Sequence, residues 1–139
     1  MEKIQFDSGV QEFMLGSGVL RFNPSDPNLY GRFLEAGEKI ADIQNNLIRE
    51  AETTDDNGYG AVQLLQSADR QMKQLLNWVF GGDNDFNTLL GGVNLLAMGK
   101  NGHRLVTNLF DALEPVLMRG AQSQVDQALA AAKHRRMTQ

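Results

Sequence analysis

The sequence predicts a mainly α fold, a small helical bundle with an N-terminal β-hairpin. Three observations lead there. Alternating apolar residues flank a glycine-rich turn near the start. Long stretches with apolar residues at three- and four-residue steps follow. Glycine and proline clusters then cut those stretches into helix-sized pieces, as breakers do. At 139 residues the chain fits one domain with one core. We divide it into a hairpin segment over 1–23, a bundle over 27–132 and a flexible basic tail over 133–139.

The hairpin is read from Gln11–Leu15 and Val19–Phe22 around Gly16-Ser17-Gly18, a three-residue loop whose glycines tolerate positive φ. Alternation sets Phe13 and Leu15 on one face, and Leu20 and Phe22 on one face of the second strand. A two-stranded hairpin is marginal alone, so it must lie on helices or pair with another chain.

The segment RFNPSDPNLYGRF (Arg21–Phe33) makes the corner. Pro24 cannot donate to a β ladder and ends the strand. Ser25 or Asp26 supplies a helix cap, and Pro27 suits the first turn. The first helix, near 27–51, is predicted to bury Tyr30, Phe33, Leu34, Gly37, Ile40, Ala41, Gln44, Leu47, Ile48 and Ala51. Glu35, Glu38, Lys39, Asp42 and Arg49 face solvent. TTDDNGYG (Thr53–Gly60) is a loop.

The second helix, near 61–80, presents Val62, Leu65, Ala68, Met72, Leu75, Leu76 and Val79, and stops at Gly81-Gly82 with a left-handed glycine cap. A short helix is predicted around 85–98, capped by Asp83, Asn84 or Asp85. The last helix, near 104–132, carries Val106, Phe110, Leu113, Leu117, Ala121, Val125, Ala128 and Ala132. Pro115 lies inside it, predicting a kink near 111–115 or two abutting helices.

The composition excludes several functions. There is no cysteine, hence no disulfide or thiolate metal site. No apolar run is long enough to span a bilayer. The N-terminus shows no signal-peptide pattern, so a cytoplasmic location is expected. The net charge is −4, and the acids crowd into the first 60 residues, which argues against broad nucleic-acid binding. Asp83–Asn87 begins like a calcium loop, but Thr88 and Asn94 stand where glycine and glutamate belong. Glu35, Glu38 and Asp42 share a helical face without a Glu-x-x-His element. The two histidines, His103 and His134, have no acid at ligand spacing. Ser8 and Ser17 lie outside any nucleophile elbow, and no glycine loop ends in Gly-Lys-Ser/Thr. No catalytic, cofactor-binding or metal-binding residue is predicted, no small-molecule substrate, and no enzyme. Lys133-His134-Arg135-Arg136 complements a helix C-terminus.

The corner and the centre of the chain carry a resemblance. A short β segment leading into RFNPSDPNLYGRFLEA resembles Gram-positive phage proteins that pass from a hairpin through FNPxDPNxxxRFxEA into a long helix. VFGGDNDFNTLLGGVNLLA (Val79–Ala97) resembles their LFG…FGGxNxxA stretch. Those proteins are similar to the tail assembly chaperones of long-tailed phages. The resemblance implies a protein that binds the tape measure protein in the infected bacterium, keeps it soluble until tail tube subunits assemble, and is absent from the virion. It implies no catalytic residues or cofactor. The alternatives are a structural or minor tail component, and a small helical adaptor of the host. Phe13, Leu15, Leu20, Trp78 and Phe80 are the predicted partner contacts, with the alanine-rich end of the last helix and the hairpin edge as further surfaces and self-association as a further expectation.

Overall fold

A computed structural model describes residues 1–53 and 58–137. Within them the order is β1 (Gln11–Leu15), β2 (Gly18–Phe22), α1 (Pro27–Thr53), α2 (Tyr59–Phe80), α3 (Phe86–Leu89) and α4 (Leu105–Met137). The chain is mainly helical with a two-stranded antiparallel hairpin, the predicted class. Among the described residues no helix is long and apolar enough to cross a membrane. Residues 54–57 of the predicted TTDDNGYG loop lie outside the described residues.

The hairpin pairs Gln11 with Phe22 through Leu15 with Gly18. Gly18 therefore belongs to β2, and the loop is two residues, Gly16-Ser17, with Gly16 at φ +59. Gly18 is small for a packing reason. A Cβ there would lie 2.8 Å from Leu89 Cδ2 and 3.1 Å from Leu89 Cα. Leu20 and Phe22 face inward and are buried.

At the corner Asp26 is the cap: its carboxylate accepts from Asn28 N at 2.9 Å, and its carbonyl takes the first helical bond, from Tyr30 N. The buried seam of α1 runs Leu29, Phe33, Ala36, Ile40, continued by half-buried Ile43 and Leu47, in alternating four- and three-residue steps. The predicted stripe was rotated from it. Leu34 is 50% and Ile48 59% exposed, because α1 has apolar residues on more than one side and the packed side is fixed by its neighbours. Ala41 and Ala51 are exposed too, as is Val62 at the start of α2.

Arg32 reaches Val79, Lys39 lies over Trp78, and Leu47 lies near Ser67; α1 and α2 are antiparallel. The same reasoning places α4 antiparallel to α1. Phe110 stacks on Phe33 at 4.8 Å, and farther along α4 Gly120 meets Pro24. A single helix runs through Pro115 to Met137, so two abutting helices are excluded. Lys133 to Met137 are helical, and the segment read as a flexible tail continues α4 up to Met137.

The predicted helix over 85–98 is only four residues long, Phe86–Leu89. Gly91 and Gly92 both take positive φ, 66° and 78°, which turns the chain out of the helix. Side chains organise the stretch beyond them. Asn94 accepts from Leu96 N and donates to Leu65 O. A bridge between Met98 and Arg104 closes the Gly-Lys-Asn-Gly loop. Leu105 N and Val106 N then bond to Ala97 O and Leu95 O, both at 2.8 Å.

This irregular segment is held by a buried ion pair on α2. Lys73 Nζ donates to Asp69 Oδ2 at 2.9 Å, Asn87 Oδ1 at 2.7 Å and Val93 O at 2.8 Å. Asp69 Oδ1 accepts from Leu95 N at 2.8 Å. Removing one member of a buried pair strands the other and costs about 3–5 kcal/mol. Lys73→Met is expected to lower the unfolding free energy by about that much in urea titrations; a loss under about 1 kcal/mol would show the pair to be dispensable.

Two glycines give a prediction of opposite signs. Gly31 in α1 has nothing within 4 Å of a would-be Cβ, so Gly31→Ala should stabilise by about 0.5–1 kcal/mol through helix propensity. A Cβ on Gly120 would sit 1.7 Å from the Pro24 carbonyl oxygen. Gly120→Ala should therefore destabilise by about 1–3 kcal/mol despite the same gain in propensity.

Candidate partner-binding surface

The corner is built around Asn23. Its Oδ1 accepts from Ser25 N at 2.9 Å and Ser25 Oγ at 2.7 Å, while its Nδ2 donates to Ser8 O at 3.0 Å. Gly9, at φ +72, packs so close to that side chain that a Cβ would meet Nδ2 at 2.5 Å. Asp7 Oδ1 accepts from Gly9 N and tightens the turn. One asparagine thus shapes the corner and pins the N-terminal arm to it. On the far side the Pro24 carbonyl receives Gly120 of α4.

A half-open cavity of about 550 Å³ lies beside the corner, floored by Phe22, Leu29 and Phe80. Arg21, Arg32, Asp26 and Asp83 stand around it. Arg32 Nε donates to Val79 O at 3.0 Å, satisfying a carbonyl at the end of α2. Both charge signs line the rim, so the cavity favours neither anions nor cations.

Of the predicted contacts, four are drawn together in or against the core and one stays apart. Phe13 stacks on Phe22 with centroids 4.6 Å apart, Phe22 meets Phe80 at 5.0 Å, and Phe80 meets Phe86 at 5.3 Å. Leu20 is 1% and Phe80 6% exposed. The inner face of the hairpin covers the end of α2, so these two side chains are enclosed by the fold and reach no folded-state surface. Phe13 and Leu15 are half-buried against the same core. Trp78 alone is largely outward, 44% exposed. Lys39 stands 5.4 Å from its ring centroid and 3.3 Å from Glu35, a cation–π arrangement that partly covers the indole.

The larger apolar exposure lies elsewhere. Beyond its contact with Pro24, α4 continues for 17 residues, about 25 Å of helix. Residues 122–131 are all exposed. Met118, Val125 and Leu129 fall on one stripe and are exposed. Their steps of seven and four residues keep them on one side of the helix. The predicted stripe ran through Leu117, Ala121, Val125, Ala128 and Ala132, so of these three exposed residues it held only Val125, and the lack of cover became evident only once Gly120 was placed at the corner.

Asp85, not Asp83 or Asn84, caps α3. The Thr88 hydroxyl chiefly holds its carboxyl below the ordinary value, against a smaller upward effect of burial, with help from Asn77 and the Asn87 amide. Asn84 has another role. Its side chain accepts from Arg21 N at 3.0 Å and donates to Arg21 O at 2.7 Å, closing the outer edge of β2 as a strand would. Among the described residues no group of three His, Asp or Glu is arranged to hold a metal ion.

No protein-family model matches this chain, and neither does any curated protein or solved structure.

Proposed function

We propose that this protein is a tail assembly chaperone of a long-tailed phage or prophage. In this reading it acts in the cytoplasm of the infected bacterium, binds the tape measure protein and keeps it soluble during tail morphogenesis. The observation that carries it is the projecting end of α4, which holds Met118, Val125 and Leu129 in solvent on one stripe. A helix with that spacing buries its stripe best against another amphipathic helix. The tape measure protein, long and helical, offers many. Lys133, Arg135 and Arg136 at the tip add attraction for acidic flanks of a client. The corner and central motifs that resemble the chaperone family support the same reading. Release follows competition for the client by tail tube subunits, with no nucleotide consumed.

Co-expression with the tape measure protein tests the idea. The wild-type chain is expected to bring the client into the soluble fraction and co-purify with it. Val125→Glu with Leu129→Glu alters exposed helix positions, so its thermal unfolding should stay within about 0.5 kcal/mol of wild type. Client recovery should fall at least tenfold. An insoluble client with the wild-type chain would sink the proposal, and presence of the protein in purified particles would favour a structural tail component.

A further inference from the structure

The N-terminal arm and the free edge of the hairpin are complementary, and both are left open. The direction of each backbone group in the hairpin is set by Asn84. Because the N–H and C=O of Arg21 point to that side chain, they point away from β1. Arg21 faces Glu12 in the register, so this is a non-hydrogen-bonded pair, and the backbone groups of Glu12 point outward on the opposite edge. The alternation gives Met14 the same orientation. Among the described residues nothing bonds to these groups. One edge of the sheet is therefore closed by an asparagine and the other is a bare edge strand, the kind that recruits another strand.

The arm has the pattern of a strand without a partner. In Lys3-Ile4-Gln5-Phe6, polar and apolar residues alternate. Ile4 is 88% and Phe6 80% exposed. Residues 2–6 make no hydrogen bond to the rest of the described chain. The turn at Asp7–Gly9 is held by Asn23, and residues 2–6 ahead of it are all exposed.

We propose that the arm of one copy adds to the β1 edge of a second copy of this chain. Laying the arm parallel to β1 with Ile4 beside Phe13 sets Phe6 beside Leu15, extending the half-buried apolar face of the hairpin. The same register sets Lys3 beside Glu12, whose only other ion-pair partner among the described residues is Arg21 at 3.3 Å. Gln5 falls beside the exposed Met14 on the outer face. Reciprocal exchange closes a dimer, whereas one-way donation builds a chain of copies. This inference concerns self-association and stands whether or not the client reading holds.

The test uses the full chain, which has no native cysteine. In sedimentation velocity, the wild-type mass is expected to rise from monomer to dimer or beyond as concentration increases. Ile4→Asp with Phe6→Asp should remain monomeric over the same range, with an unchanged circular dichroism spectrum and melting temperature. In a mixture of Gln5→Cys and Met14→Cys chains, a short bis-maleimide should join unlike chains at least fivefold more than like chains. A wild type that stays monomeric, an Ile4→Asp/Phe6→Asp variant that assembles as well as wild type, or no preference for unlike chains would each overturn the proposal. So would cross-linking of a Gln5→Cys/Met14→Cys double variant within monomers, which would place the arm on its own hairpin.

Discussion

The structure depends on one buried cation. Lys73, with its side chain 6% exposed, has three ammonium hydrogens and three acceptors: a carboxylate, an amide oxygen and a backbone carbonyl. Its partner Asp69 uses the second oxygen on Leu95 N. A buried ion pair costs desolvation that its Coulomb attraction offsets only when the geometry is good and the remaining groups are bonded. Among the described residues no buried side-chain polar atom lacks a partner, so that condition is met. The pair reaches well beyond α2. It fastens a segment with only one turn of helix, which in turn delivers Phe86, Leu95 and Leu96 to the core. The same segment supplies Asn84 to the edge of β2 and Leu89 to the back of Gly18. Without it the hairpin would keep only its contact with the end of α2, where Phe22 meets Phe80.

The corner is the second organising element. Asn23 holds the arm through Ser8, and Pro24 meets Gly120 where α4 leaves the body. Both projecting segments are thus mounted on the RFNPSDPN stretch. The stretch turns the chain, as its prolines and cap indicate, and it also sets where two exposed apolar segments begin. The two proposals, a client on α4 and a second copy on the β1 edge, rest on these two projecting extensions.

Much of this was legible in the sequence because it is local. Turn glycines, a proline before the cap and apolar periodicity fixed the hairpin, the corner and three long helices. The face of α1 was not legible. Leu29 and Ala36 are buried while Leu34 and Ile48 are exposed, and only the positions of α2 and α4 decide between overlapping stripes. The segment after α2 defeated the periodicity because asparagine side chains and positive-φ glycines do there what a helix ladder would do. The buried pair was not read from the sequence: Asp69 and Lys73 have the i,i+4 spacing that solvent-exposed pairs also have, and the one signal of burial is their place among Ala68, Met72 and Leu76 on the apolar side. Leu20 and Phe80 were apolar enough for an interface, but the aromatic cluster enclosed them. On α4 the predicted stripe shared only Val125 with the exposed Met118, Val125 and Leu129, and freedom from cover is a property of the tertiary fold.

Native-state hydrogen exchange on the dilute monomer tests the account most directly, because it reads the body and its extensions at once. The Leu95 amide lies outside any helix or strand, yet its bond to Asp69 places it in the core. It is expected to exchange only through global unfolding, together with the seams of α1 and α2, while residues 2–6 and 122–137 exchange orders of magnitude faster. A Leu95 amide that exchanges at loop rates, or an α4 protected evenly to its end in the monomer, would contradict it.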